Sequence, residues 1–420
     1  MRYFALTALC AFAVSTLCTL AAAQPTLLWS RPMPNDDMGV IDLVLVPQQN
    51  RAIAAVGDFD VQHIWVLHLD TGDVTDVIKP ITARYGGIER VVANEAHIAV
   101  LINNGAGIKD REFHVLVYDA KTLALRHTLA MPDDLPGYNP LSGEGALWLD
   151  GDHLLLGAQL WETYQNTQPL LLHFDLTTGA LLRQIAMADM LSKADDSDTR
   201  PATPDYFFAG AVVTDGMLYA TPLPSKTPEP IRPLSYDLNT GQSAQPLGIF
   251  DATPRFASLL SVDDRAAIYG LVPPFSTSNV VSVGTAQRVD HTTGKISASY
   301  PDPFAPEDTD LSFREFMFQN IETGQSPYTG SWYPEQVSVD GGYVVASAPN
   351  APAGGPVGSG ALVVYLEDGT PYTILASQAP KADLFFGRGF VHRAGFVLVA
   401  DKNPASDYYA ARSLVLYTLD

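Results

Sequence analysis

Tyr236-Asp237-Leu238-Asn239-Thr240-Gly241 reads as the end of one strand and the start of the next: the Asp closes the strand, Asn-Thr-Gly turns the chain, and a second apolar run follows. Related stretches occur at Leu69-Asp70-Thr71-Gly72, Tyr118-Asp119-Ala120-Lys121-Thr122, Phe174-Asp175-Leu176-Thr177-Thr178-Gly179, Val289-Asp290-His291-Thr292-Thr293-Gly294 and Leu366-Glu367-Asp368-Gly369, with a shorter copy at Leu419-Asp420. Seven copies separated by roughly 50 to 80 residues mark a repeat architecture.

Around each copy lie short β-branched and aliphatic runs with no helical period, which argues for small sheets. They divide the chain into units at 38–80, 86–131, 144–187, 208–250, 256–301, 334–377 and 386–420. The last unit lacks a fourth strand. Thr26-Leu27-Leu28-Trp29-Ser30-Arg31 resembles the other fourth strands and supplies the missing one. The expected fold is therefore all-β: a seven-bladed β-propeller of four-stranded antiparallel blades, its last blade closed by the N-terminal strand. Radial repetition also lets residues 24–420 form a single domain without one oversized core. His68 and His173 are read as matching third-strand positions.

Residues 1–23 read as a secretory leader, with Arg2, an apolar run from Phe4 to Leu20, and Ala21-Ala22-Ala23 as the cleavage site. The expected location is periplasmic or secreted. Cys10 and Cys18 both lie in that leader, so the exported chain has no thiol and no disulfide. The formal net charge is −21, and losing Arg2 makes it one more negative. Such a charge argues against nucleic acid, which needs a basic face. No apolar run after the leader is long enough to span a bilayer, and a monomer is expected.

The ending of the third strands, apolar-Asp-x-x-Thr-Gly, resembles the repeats of the quinoprotein-like and YVTN-type β-propellers across nearly the whole of residues 24–420. That resemblance implies the fold and leaves the activity open, because the superfamily holds dehydrogenases, lyases, assembly factors and proteins without known chemistry. The Trp-rich docking signature of pyrroloquinoline quinone dehydrogenases is missing, with five Trp in the chain. There is no Cys-x-x-Cys-His haem attachment motif either.

Connections from inner to second strand and from third to outer strand are short, whereas second-to-third and outer-to-inner connections are long. These include 103–112, 160–168, 222–229, 349–360 and 402–411, with insertions at 188–206 and 301–333. In a propeller the two long classes share a face, so one face is plain and the other loop-rich. Within the second insertion, Ser312-Phe313-Arg314-Glu315 fits a capping box and Phe313, Phe316, Met317 and Ile321 have helical spacing. Asp195-Asp196-Ser197-Asp198 lacks the Gly and Glu of a Ca²⁺ loop and reads as solvated charge.

No zinc-protease, nucleophile-elbow, P-loop or dinucleotide-binding motif is present. The candidate chemistry lies at the starts of the inner strands, where Asp42, Glu89, Glu144 and Glu335 are expected to crowd the channel mouth, with Arg255 and Arg388 nearby. Carboxylates from several blades suit a hard cation, which makes Ca²⁺ the one candidate cofactor. Solvated or Arg-paired channel lining and an acid–base pair are the competing readings of the same residues. Tyr85, Trp161, Tyr206, Trp332 and Tyr333 sit on or beside long connections, as do Tyr138 and Tyr164, and either offer stacking surfaces for a glycan, another small ligand or a protein side chain or anchor their own loops. The leading expectation is an exported, non-enzymatic propeller that binds a partner on its loop-rich face. The alternative is a divalent-cation-dependent hydrolase, lyase or lactonase-like enzyme at the channel mouth.

Overall fold

In the computed structural model the described residues are 24–34, 38–57, 61–80, 87–103, 113–135, 138–140, 147–160, 169–186, 206–224, 234–244, 256–262, 266–272, 285–290, 293–304, 333–334, 336–349, 351, 353, 359–377, 386–387, 389–402 and 411–419. Runs rich in Val, Ile, Leu and Ala form strands because such side chains pack well on a pleated surface, and each run is closed by a turn residue.

The chain begins with β1 (Thr26–Pro32). Blade 1 follows as β2 (Gly39–Val46), β3 (Arg51–Gly57), β4 (Gln62–His68) and β5 (Val74–Ile78). Blade 2 holds β6 (Gly87–Ala93), β7 (His97–Asn103), β8 (Phe113–Asp119) and β9 (Leu125–Ala130). Blade 3 has a divided inner strand, β10 (Tyr138–Pro140) and β11 (Leu147–Asp150), then β12 (His153–Leu160), β13 (Pro169–Asp175) and β14 (Ala180–Ala186). Blade 4 is β15 (Tyr206–Thr214), β16 (Met217–Pro224), β17 (Leu234–Asp237) and β18 (Gln242–Ala244). Blade 5 is β19 (Phe256–Val262), β20 (Ala266–Val272), β21 (Thr285–Asp290) and β22 (Ile296–Pro301). Blade 6 is β23 (Val337–Asp340), β24 (Tyr343–Ala348), β25 (Ala361–Leu366) and β26 (Pro371–Ala376). Blade 7 is β27 (Phe390–Arg393), β28 (Phe396–Lys402) and β29 (Ala411–Thr418).

Every sheet is an antiparallel meander, and the strand order β1-β29-β28-β27 places the N-terminal strand on the outer edge of blade 7. Trp29 pairs with Leu416, Ser30 with Val415 and Arg31 with Leu414. Neighbouring inner strands touch all the way round: β2, β6, β11, β15, β19, β23, β27 and back to β2. The protein is thus a closed seven-bladed β-propeller. Among the described residues no helix is long and apolar enough to cross a membrane.

Apolar layers fill the seams between blades. Leu43, Leu45, Ala54 and Trp65 of blade 1 pack against Trp29, Leu398, Leu414 and Leu416 of blade 7, and Val345, Leu362 and Leu375 of blade 6 pack against Phe390, Val397 and Tyr417. Each fully buried aliphatic side chain in such a layer contributes about 1.5–3 kcal/mol, so the ring is held by many adjacent seams.

The repeat motif is a seam device as well as a turn. In β8, β13, β17 and β21 the terminal Asp accepts hydrogen bonds from the turn itself: Asp175 from Thr177 N (2.9 Å), Asp237 from Asn239 N (2.8 Å), Asp119 from Thr122 N (2.8 Å) and Asp290 from Thr293 N (2.7 Å). These bonds hold the carboxyls of Asp175, Asp237 and Asp119 below the ordinary range, led by the Thr178 hydroxyl, the Thr240 N–H and the Thr122 N–H respectively. The next residue turns its carbonyl to the preceding blade. Trp29 Nε1 donates to Leu69 O (2.6 Å), Arg183 to Leu238 O (2.6 Å), Tyr300 to Glu367 O (2.8 Å), Tyr372 to Leu419 O (3.0 Å), and Arg51 to Ala120 O.

The Gly of the motif has positive φ at Gly72, Gly179, Gly241 and Gly294, where an L side chain is strained. At three of them a Cβ would also strike the preceding blade: Trp29 at 2.6 Å from Gly72, His127 at 2.8 Å from Gly179, and Arg183 at 2.8 Å from Gly241.

Register corrects part of the sequence alignment. Leu69, Ala120, Leu176, Leu238 and Glu367 are equivalent, because each donates its N–H to the turn before the second strand of its own blade. The position held by Asp119, Asp175, Asp237 and Asp290 is therefore His68 in blade 1 and Leu366 in blade 6, and Asp70 and Asp368 lie inside their turns. For the same reason His68 and His173 do not match. His68 pairs with Arg51, the first residue of β3, whereas His173 pairs with Leu155, the third of β12.

Candidate functional site

Meander topology sends the inner-to-second and third-to-outer turns to one face of the ring and the other connections to the opposite, loop-rich face. On the plain face the turns are consumed by the fold. Asp150 accepts from Gly216 N (2.5 Å), Asp340 from Ala394 N (2.7 Å), and Asn94 donates to Gly151 O (2.7 Å), each across a seam.

Towards the loop-rich end, three inner strands slip at one level of the ring; in blade 5 the slip, between Leu259 and Ser261, lies opposite Tyr269 and Ile268, nearer the plain face. β2 slips by one residue between Val40 and Asp42, β6 between Ile88 and Arg90, and β15 between Phe208 and Gly210. Each slip lies opposite the fifth and sixth residues of the adjacent second strand: Ala55 and Val56, Leu101 and Ile102, Thr221 and Pro222. In blade 3, Pro140 pairs with Ala158 and Leu147 with Leu156, so the two parts of the inner strand meet β12 on either side of that same level. Bulges bend a strand and re-aim a side chain, and they concentrate near functional sites. Sequence spacing gives no warning of this belt.

Asp42 and Arg90 occupy equivalent positions in it, opposite Ala55 and Leu101. The Asp42 carboxylate, 8% exposed, accepts from Arg90 Nη1 (3.0 Å), Val91 N (2.7 Å) and Leu43 N (2.9 Å). It therefore joins blade 1 to blade 2 and caps an inner-strand N–H. Burial pushes its pKa up, against the pull of Arg90 and of the Val91 and Leu43 amides. Glu89, the extra residue of the β6 bulge, is half-buried, with Asn103 Nδ2 at 3.5 Å. Arg90 is 24% exposed and its Nε has no partner.

The expected cation set does not assemble from what is described. Asp42 is committed to Arg90 and two amides, and among the described residues no group of three His, Cys, Asp or Glu is placed to hold a metal. Glu144 and Glu335 lie outside the described residues, as do Arg255, Arg388, Tyr85, Trp161 and Trp332, the capping box at 312–315 and the acidic run at 195–198. Tyr206 opens β15, paired with Pro224. Tyr138 opens β10 and pairs with Leu160.

Tyr333 corrects an expectation. Its place beside a long insertion puts it among the ligand-stacking aromatics, yet it is 5% exposed and packs with Tyr300, Val337 and Tyr365 in the seam between blades 5 and 6. Its hydroxyl donates to Tyr300 O (3.0 Å), while Tyr365 reaches Pro301 O. Burial pushes the Tyr333 phenol well above its ordinary pKa and that of Tyr365 to about 12. Together with Asp302, which accepts from Phe304 N (2.9 Å), these tyrosines fasten both stems of the 305–332 insertion.

No known family matches the sequence, and no curated protein resembles it closely enough to count as a relative. Solved structures match by fold. An acylaminoacyl peptidase from Pyrococcus horikoshii aligns with a TM-score of 0.53 at 10% identity, over 90% of this chain and 51% of that one. The β-propeller domain of the trilobed protease from Pyrococcus furiosus aligns with a TM-score of 0.51 at 11% identity, over 91% of this chain and 98% of that domain. The latter is described as having an open velcro topology, whereas β1 closes the ring here. These likenesses establish the propeller fold. The present chain spans about half of the peptidase.

Proposed function

We propose that this is an exported, non-catalytic propeller that binds a partner protein or a small ligand such as a glycan on its loop-rich face, with the bulged belt as the floor of the site. The observation that carries the reading is the asymmetry of the two ends. Plain-face turns spend their Asp, Asn and carbonyl groups on seams, while the long connections and the aligned bulges of β2, β6 and β15 belong to the other end. Loops on a rigid scaffold are where binding residues concentrate. Half-buried Glu89 and Arg90, with buried Asn103 beside Glu89, supply acceptors and donors of the kind that orient a hydroxyl-rich ligand.

A thermal-shift screen of residues 24–420 against small glycans and divalent ions tests this. A saturable rise in melting temperature with a glycan, reduced by Glu89→Gln and by Trp161→Ala and unaffected by EDTA, supports the reading. If no glycan shifts the melting temperature but Ca²⁺ does, and metal co-purifies, the cation-dependent hydrolase or lyase reading replaces it.

A further inference from the structure

His392 has no role in the seams or the site described so far. It lies on β27, the inner strand of blade 7, at 4% exposure, and neither ring nitrogen has a hydrogen-bond partner. Its strand partner is Val397, and Phe390 stands on the same side of β27. Both belong to the apolar layer between blades 6 and 7, so the imidazole faces that seam. Buried polar atoms are nearly always paired, and an exception calls for an explanation.

Among the described residues no group makes a direct hydrogen bond to the ring. From β23, the charge of Asp340 reaches the ring, and its carboxylate is turned to Ala394 N (2.7 Å). Ser338 of the same strand gives its hydroxyl to the His392 carbonyl (3.3 Å), and its own carbonyl stops short of hydrogen-bond geometry with the ring. Tyr343 of β24 and Tyr372 of β26 both donate to Leu419 O (3.1 and 3.0 Å). Tyr417 of β29 is buried in the layer, and Arg393 is the next residue along β27.

We propose that His392 is an acid-responsive latch: neutral, it packs the seam between blades 6 and 7, and protonation parts that seam while the rest of the ring stays closed. The step is a reversible proton uptake with no bond made or broken in the chain. Burial holds the ring down to about pKa 4 against the opposing pull of Asp340 and the Ser338 carbonyl. An opened seam returns it to an ordinary value near 6.5. Open states then bind the proton between pH 6.5 and 4 and closed states do not, so opening is favoured by up to about tenfold for each unit the pH falls in that window.

Hydrogen exchange followed by mass spectrometry on residues 24–420, corrected for intrinsic rates, tests the latch. From pH 6.5 to 4.5, protection of β23 and β27 falls about 40-fold further in the wild type than in His392→Leu, while β2 and β6 behave alike in both proteins. Should the Leu variant fail to fold by far-UV circular dichroism, His392→Gln is the non-titrating comparison. The same pH dependence in wild type and variant, or a loss of protection spread evenly over all seams, overturns the proposal.

Discussion

A single methyl group at Gly72 probes how the ring is closed. Gly72 has φ +71°, and a Cβ there falls 2.6 Å from Cδ2 of Trp29, the strand-β1 side chain that caps blade 7 against blade 1. Two costs follow. Placing Ala in the left-handed region costs about 1–2 kcal/mol, and forcing a filled contact apart costs about 1–3 kcal/mol. The indole has little room to withdraw, since it is 8% exposed and its Nε1 is held to Leu69 O at 2.6 Å.

Gly151 is the internal control. Its φ is +55°, but nothing lies within 4 Å of where its Cβ would stand, so Gly151→Ala carries only the first cost. In urea unfolding followed by far-UV circular dichroism, Gly72→Ala should therefore lose about 1–3 kcal/mol more than Gly151→Ala. Trp29→Ala alone should cost about 3–5 kcal/mol. In that background Gly72→Ala should fall to the level of Gly151→Ala, a coupling of about 1–3 kcal/mol. Equal costs at the two glycines, or strict additivity with Trp29→Ala, would refute the claim that β1 closes the ring through this contact.

Other expectations concern individual groups. Asp42→Ala should lower stability by about 3 kcal/mol, because Arg90 and Val91 N lose a buried acceptor, and it should leave any Ca²⁺-induced thermal shift unchanged. A loss of cation binding in that variant would restore Asp42 as a ligand. His173 is fully buried against His153 (2.9 Å), and burial first, then the neighbouring His153 and Arg183 charges, lowers its pKa to about 4. An unfolded chain takes up that proton near pH 6.5, so the stability His173 confers is complete above 6.5 and is lost as pH falls towards 4, by up to about 1.4 kcal/mol per unit. Chemical unfolding of His173→Leu across this range should show a flatter pH profile, and an unchanged slope would contradict the assignment. Tyr333→Ala should lower the melting temperature through the lost seam packing, at a cost of about 3–5 kcal/mol; a fully stable variant would return Tyr333 to the surface.

The blades are legible in the sequence because strand and turn signals are local. Asp-x-x-Thr-Gly dictates an Asp-capped turn with a left-handed residue wherever it occurs, and the composition of β1 alone marks it as a fourth strand. What stays hidden is whatever needs a partner from another blade. Asp70 and Asp368 align with the strand-ending Asp because spacing alone cannot separate an acid before a turn from one inside it.

Asp42 looks free to bind a cation in the sequence because Arg90, its partner, lies 48 residues away. Aligning the repeats by register reveals the pair, since the two hold equivalent inner-strand positions. Tyr333 misleads for a related reason: an aromatic beside a long insertion has the same composition whether it faces a ligand or locks the insertion's stem into a seam. The belt of bulges leaves no mark in residue type at all, because a bulge changes the count of residues between fixed rungs and not their chemistry.

Closure of the ring by β1 puts distant loops on one rim, and a cross-link tests it directly. Residues 24–420 contain no cysteine, so Ser30→Cys with Val415→Cys introduces one pair at positions that face each other in β1 and β29. Mild oxidation of the purified monomer should form an intramolecular disulfide, seen as a reducible change in electrophoretic mobility, and should raise the melting temperature. Free thiols after oxidation, or disulfides only between molecules, would show that β1 does not lie on β29 and that the ring is not closed there.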